Sequence, residues 1–231
     1  HNLLLAKLKA YGFDKSSFDL IKSYLSNRHQ RVKIRSSYSS FKKVYIGVPQ
    51  GSILGPILFN FFINDLMFFI EETDVCNFAD DTTIYSCSST YDEANKLLSN
   101  DTHKVLNWFK INSMVADPGK FQIMFLGSKI DNNNITFLIE DKCIKSKSEV
   151  TLLGITIDDK LTFKNHIKLM CNKAINRLRA LIRIRKFLSI EQAKYLSEAY
   201  IVSSFKYCPL IWMFCNKTSN DLINNIHKRT L

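Results

Sequence analysis

The chain has 231 residues, is 46% hydrophobic, and carries 32 Lys/Arg against 21 Asp/Glu for a net charge of +11. That length and apolar content suit one large domain or two small ones, with enough apolar mass for a core. Cys76, Cys87, Cys143, Cys171, Cys208 and Cys215 show no C-x-x-C spacing and no regular framework, which argues against a zinc site and a secreted disulfide scaffold and for a reducing, intracellular setting.

The charge is unevenly placed. Residues 1–141 hold 15 basic and 15 acidic side chains, whereas residues 142–231 hold 17 basic and 6 acidic, so the whole surplus lies in the last 90 residues. Such asymmetry points to a polyanion-binding half, with solvated basic helices as the alternative.

In chain order, Leu3 to Tyr11 reads as a helix with Gly12 as its C-cap, and Ser16 or Ser17 caps a second helix running to about Leu25. The chain is expected to begin and end within structure. From Lys22 to Lys43 there are seven basic residues and no acidic one. Arg31, Lys33 and Arg35 alternate with Val32 and Ile34, so a strand places the three cations on one face. They form either a template or primer phosphate track or a charged edge that discourages aggregation.

Gly47 to Ser52 supplies turn chemistry ahead of a long apolar stretch, and Gly51 leaves room for a ligand against its backbone. Ile53 to Ile70 is the one candidate membrane span, but Pro56, Asn60, Asn64 and Asp65 are costly in hydrocarbon, so a helix packed in a soluble protein is expected. Residues 75–85 then read as a tight β-hairpin with Asp80 and Asp81 at or beside its turn. Adjacent carboxylates repel, and a hard divalent cation relieves that repulsion; paired metal ions are a standard device for phosphoryl transfer. The alternative is a solvated hairpin tip.

The run from Gly47 to Leu66, followed by Phe78-Ala79-Asp80-Asp81, resembles the reverse transcriptase of non-LTR (LINE-type) retrotransposons, with the jockey-like branch nearest. The resemblance implies an α+β fold: an incomplete right-hand palm and fingers with an antiparallel sheet over residues 1–160, then a basic helical thumb over 161–231. It implies an RNA-directed DNA polymerase using an RNA template, a DNA primer and deoxynucleoside triphosphates in the cytoplasm or nucleus, without a membrane. Asp80 would be the principal ligand of a two-ion Mg²⁺ site, Asp81 its lesser neighbour, and Mn²⁺ an able substitute. Gln50, Gly51, Phe78 and Ala79 would lie beside nucleotide and template. In the resembled family the first catalytic aspartate stands on a strand that would precede His1, so this chain in isolation is expected to be inactive. The alternative is a non-catalytic nucleic-acid-binding relic of a mobile element.

Downstream, Thr90 to Glu93 reads as a capping box, and Ala94, Leu97, Leu98, Val105, Trp108 and Phe109 form a helical core stripe. Asn112 to Gly127 reads as a loop into a strand. Lys120 matches a family lysine able to protonate or neutralise departing pyrophosphate, while Asp117 and Phe121 depart from the family's usual asparagine and threonine; an ordinary surface lysine is the alternative. Residues 131–134 read as a polar turn. Residues 150–158 resemble a primer-grip hairpin with Leu153 and Gly154 at its turn. Beyond Leu161 a helical stripe of Phe163, Ile167, Cys171, Ala174, Leu178 and Leu181 is accompanied by Arg179, Arg183 and Lys186 on a second stripe. Ser189 to Gln192 is a capping box opening a helix to about Phe205. Residues 207–214 and 226–229 resemble the family's segment after the palm, a thumb tracking duplex phosphates. Oligomeric state is not legible.

Overall fold

The computed structural model describes residues 1–127, 135–139 and 142–230; the polar turn expected at 131–134 lies outside the described residues. The class is α+β, with helices and small antiparallel sheets. The described strands pair two by two instead of joining one shared sheet. Contacts divide the chain into two compact units, His1–Gly119 with Leu138–Lys142, and Lys120–Phe137 with Cys143–Leu231. No described helix is long and apolar enough to cross a membrane.

The first unit opens with α1 (Asn2–Ala10) and α2 (Lys15–Leu25). Asp14, not Ser16 or Ser17, is the N-cap of α2: its carboxylate accepts from the Ser17 amide at 3.0 Å and the Ser17 hydroxyl at 2.7 Å. An aspartate two positions ahead of Ser16 outcompetes the serines because one carboxylate takes both donors. A hairpin arm follows, built from β1 (His29–Gln30), β2 (Lys33–Ile34), β3 (Ser37–Tyr38) and β4 (Lys42–Lys43), with β1 paired to β4 and β2 to β3. The expected five-residue strand is broken: Arg35 turns left-handed at φ 56° in the loop, so it does not share a strand face with Arg31 and Lys33.

The apolar stretch becomes α3 (Leu54–Ile63) and a 3-10 turn, Asn64–Phe69. Its burial is one-sided, with Leu58, Ile63 and Leu66 inside and Ile53 and Phe68 exposed. Then come β5 (Asp74–Phe78), β6 (Asp81–Tyr85) and α4 (Tyr91–Ile111), whose N-cap Thr90 accepts the Glu93 amide. Leu4, Leu8, Ile21, Leu25 and Leu58 form one core, and Ile63, Leu66, Val105 and Trp108 a second. Each fully buried large side chain contributes about 1.5–3 kcal/mol of apolar transfer. Lys7 links α1 to the second core. Its ammonium lies 2.7 Å from Asp65, donates to the Phe62 carbonyl at 2.8 Å and sits over the Phe62 and Trp108 rings. The Trp108 indole N–H donates to the same Asp65 oxygen at 3.2 Å.

The 3-10 turn Pro118–Lys120 leads into the second unit, whose residues 121–127 form no strand, against expectation. This segment is instead held by separate bonds: the Ile123 carbonyl accepts the Lys147 amide, and Gln122 donates to the Thr151 carbonyl and accepts from Lys147 Nζ. Short strands β7 (Thr136–Ile139) and β8 (Lys142–Lys145) follow. Then β9 (Glu149–Leu152) and β10 (Ile155–Asp158) form a hairpin, followed by α5 (Lys164–Ile184), α6 (Ile190–Ser197), a π-helical turn Glu198–Val202, α7 (Ser203–Lys206), α8 (Leu210–Met213) and α9 (Lys217–Thr230). Ile167, Met170, Cys171, Ala174 and Leu178 of α5 pack with Ile201, Phe205, Ile223 and Ile226. Both bonds of the Ser189–Gln192 capping box are made. Arg177 donates to the Tyr200 carbonyl within the π turn and to Ser204, compensating backbone that the wider turn leaves without its usual partner. The boundary expected at residue 160 falls inside this unit, where the Thr156 amide donates to His166 Nδ1 of α5.

Candidate active site

The Asp80/Asp81 hairpin is built as five cross-strand pairs, from Asp74 opposite Tyr85 to Phe78 opposite Asp81, closed by the two-residue loop Ala79-Asp80. Such a short loop requires left-handed backbone, and Ala79 supplies it at φ 53°, an unfavourable place for a side-chain-bearing residue. One face is half-buried: Val75 stands opposite Ile84, which packs on the Val105–Trp108 core, and the Thr82 hydroxyl donates to Asn77 at 2.8 Å. The other face puts Asp81 beside exposed Phe78, and Asp80 projects from the tip.

Several aspartates are engaged by the fold. Asp14 caps α2, Asp158 accepts the Phe163 amide, Asp65 pairs with Lys7, Asp117 accepts the Gly119 amide, and Asp101 is fully buried. Asp80 and Asp81 are exposed, and among the described residues neither has a hydrogen-bond or ion-pair partner. Two free, adjacent carboxylates fit a hard divalent cation that completes its shell with water and substrate phosphate. The described residues contain no group of three or more His, Cys, Asp or Glu side chains placed to hold a metal by themselves.

What fixes the hairpin's base is Asp101 of α4, a residue that the apolar stripe conceals. Its carboxylate accepts the Glu71, Glu72 and Thr73 amides and the Thr73 hydroxyl, the last three at 2.8 Å, and lies 3.1 Å from Lys104. Burial pushes the carboxyl up, but the Thr73 hydroxyl, the Glu72 amide, Lys104 and the Glu71 amide together hold it below the usual range. The segment immediately ahead of β5 is thereby clamped to α4. A signal was present: Asp101 falls on the stripe of Leu97, Val105 and Trp108, where a carboxylate is tolerated only with partners.

Gln50 and Gly51 form the tip of a turn in which the Ser52 amide donates to the Pro49 carbonyl, and Gly51 at φ 79° gives it type II geometry. Gln50 is exposed. The turn is pinned from three sides: Tyr24 donates to the Ser52 hydroxyl, that hydroxyl donates to Pro49 O, and the Gly55 amide donates to it in turn. Gly55 permits this approach, because a Cβ there would stand 3.0 Å from Ser52 Oγ and 3.2 Å from Pro49 O. His1 Nε2 bonds the Gly47 carbonyl at 2.7 Å, tying the start of α1 to the same loop.

In the second unit, Lys120 is exposed at the end of its 3-10 turn. Leu153 and Gly154 close the β9–β10 hairpin with φ of 48° and 80°, the signs of a type I′ turn. The Leu153 carbonyl accepts the Tyr207 hydroxyl at 2.6 Å. At the other end of β10, Asp158 accepts the Thr162 and Phe163 amides and the Thr162 hydroxyl, fixing the entry to α5. Burial lowers the proton affinity of His166, keeping it a neutral acceptor for Thr156. Arg179 and Arg183 are exposed on α5, but Lys186 lies beyond it in the 3-10 turn Arg185–Phe187, so the expected three-residue stripe loses its last member.

Residues 1–157 match the family described as "Reverse transcriptase (RNA-dependent DNA polymerase)". The chain is 26% identical over its whole length to a "Probable RNA-directed DNA polymerase from transposon BS" of Drosophila melanogaster, covering 27% of that protein. It is 25% identical, again over its whole length, to an "RNA-directed DNA polymerase from mobile element jockey" of Drosophila funebris, covering 26% of it. Over 72% of the chain it is 29% identical to the jockey polymerase of Drosophila melanogaster, covering 19% of that relative. The chain thus spans about a quarter or less of the length of these relatives. No solved structure matches it.

Proposed function

The chain belongs to the reverse transcriptase (RNA-dependent DNA polymerase) family, and from that premise we propose that it is part of a non-LTR retrotransposon polymerase that copies an RNA template into DNA. In this reading the primer 3′-hydroxyl loses its proton and attacks the α-phosphate of a deoxynucleoside triphosphate. A new phosphodiester bond forms, the α–β bridging bond breaks, and pyrophosphate leaves. Two bound Mg²⁺ ions, or Mn²⁺ in their place, supply stabilisation of the attacking and leaving oxygens.

The residues divide the work. Asp80 and Asp81 hold the cations, Asp80 as principal ligand. Gln50, Gly51, Phe78 and Ala79 border the nucleotide and template base. Lys120 neutralises or protonates the departing pyrophosphate. Leu153 and Gly154 grip the primer backbone, and Arg31, Lys33, Arg35, Arg179, Arg183 and Lys186 contact phosphates. Residues 1–160 act as partial fingers and palm and 161–231 as a thumb. The setting is intracellular, in cytoplasm or nucleus.

The observation that carries the reading is the pair of adjacent carboxylates free of protein partners at the tip of a hairpin whose base is clamped. The test is Mg²⁺-dependent primer extension on an RNA template by a polypeptide extended upstream by about one strand and helix, beside its Asp80→Ala counterpart. Loss of extension in the variant is expected; equal extension by both would overturn the assignment. The 231-residue chain by itself is expected to extend no primer, since its described residues bring no third carboxylate, His or Cys to Asp80 and Asp81. A second reading, a nucleic-acid-binding relic without catalysis, draws on the lack of a three-ligand cluster among the described residues. It requires a folded, salt-sensitive binder that stays inactive even when extended.

A further inference from the structure

The arm over residues 28–45 carries Arg28, Arg31, Lys33, Arg35, Lys42 and Lys43 and no acidic residue. Every side chain in it except Val44 is exposed, so no core explains its composition. None of the six cations has a carboxylate within ion-pair distance among the described residues. Instead four of them, Arg28, Arg31, Lys33 and Lys43, lie over rings. The Arg31 guanidinium is 4.0 Å from the Tyr38 ring centroid and 4.6 Å from that of Phe41; Lys33 is over Tyr38 at 5.3 Å and Lys43 over Tyr45 at 5.3 Å.

A guanidinium against aromatic faces keeps its charge and its in-plane N–H fork while losing rotational freedom, which prepares it for bidentate bonding to a phosphodiester. The ladder supports that geometry. Lys33 pairs with Tyr38 in the β2–β3 register, and the Ser39 hydroxyl accepts the Val32 amide at 2.9 Å, holding the arm across the gap between its two strand pairs.

We propose that this arm is a sequence-independent clamp for a nucleic-acid backbone, in which Arg31, stacked on Tyr38 and Phe41, is the anchoring phosphate ligand and Lys33 and Lys43 flank it. The proposal rests on the nucleic-acid-directed reading above and adds to it a specific anchoring residue and the rings that orient it. A lipid surface would need Tyr38 and Phe41 free to enter the acyl boundary; here both are engaged by the guanidinium that would meet the phosphate.

The experiment is fluorescence-anisotropy binding of the 231-residue chain to a labelled single-stranded RNA and to an RNA–DNA hybrid over a range of salt. Arg31→Ala is expected to weaken binding to at least one of them about tenfold at moderate salt and to lower the salt slope by about one. Arg31→Lys and the Tyr38→Leu/Phe41→Leu pair keep the charge, so each is expected to lose affinity severalfold with the slope unchanged. Thermal melting of each variant should match the parent, since these positions are outside the core. Unchanged affinity and slope for Arg31→Ala on both nucleic acids would overturn the clamp, whatever the extension assay shows. So would Arg31-dependent binding to phosphatidylserine vesicles with none to nucleic acid. Loss of extension in the polymerase assay alone would leave the clamp standing.

Discussion

Two hairpins of similar make are put to opposite uses. β5–β6 and β9–β10 are both antiparallel pairs closed by two-residue loops with a non-glycine residue at positive φ, Ala79 in one and Leu153 in the other. In β9–β10 the tip is tied down, because Tyr207 bonds the Leu153 carbonyl, and the far end is tied to the entry of α5 through Asp158. In β5–β6 the attachment is at the base, through Asp101, and the tip is left with two carboxylates free of partners. A hairpin anchored at its base and open at its tip can present charge to a ligand without losing its register. One anchored at its tip presents backbone and shape.

Breaking the open tip gives the largest effect. Asp80→Ala in the extended polypeptide should lower Mg²⁺-dependent extension at least about a hundredfold, the scale of losing one electrostatic stabiliser. Its unfolding midpoint should move little, because the side chain is exposed. Breaking the base comes next. Asp101→Ala strands three amides and a hydroxyl and leaves Lys104 only its Glu71 partner, and should cost about 3 kcal/mol in urea unfolding.

The same residue makes an acid signature. Its folded carboxyl sits below its unfolded value of 3.8, so its contribution is present above that value and fades as pH falls through the folded one. Asp158, shifted the same way, adds to the loss below about pH 4. In Asp101→Ala the acid destabilisation should be shallower than in the parent, as read from urea midpoints between neutral and acid pH.

Sharpening the contrast takes gentler changes. Tyr207→Phe frees the closed tip and should cost about 0.5–1 kcal/mol, the net worth of one hydrogen bond. Hydrogen exchange should quicken around Leu152–Ile155. Ala79→Gly relieves the left-handed alanine and should stabilise by roughly 0.5 kcal/mol, while loosening the tip that carries Asp80. Both can be read from unfolding curves.

Much of this was legible from residues. The hairpin around Asp80, the Ser189–Gln192 box and the α5 core stripe follow from turn chemistry, reciprocal capping and helical period. Asp101 was hidden because helical periodicity registers apolar positions and passes over a carboxylate whose partners come from a distant loop. The strand expected across Arg31–Arg35 failed because alternation describes faces but not where the chain reverses, and the reversal falls on an arginine with no glycine to mark it. The shortened stripe at Lys186 has a similar cause: the register continues, but α5 ends at Ile184 and tightens into a 3-10 turn two residues too soon. In the Gly47–Gly55 loop the glycines were evident, but the Tyr24–Ser52 bond that fixes the turn joins residues 28 apart and leaves no local pattern.

The most direct test of the central claim is to titrate Mn²⁺ into the 231-residue chain with a deoxynucleoside triphosphate and follow amide line broadening by NMR. The account predicts that the amides from Phe78 to Thr82 broaden first and that Asp80→Ala abolishes this. Broadening centred elsewhere, or unchanged in the variant, would contradict it.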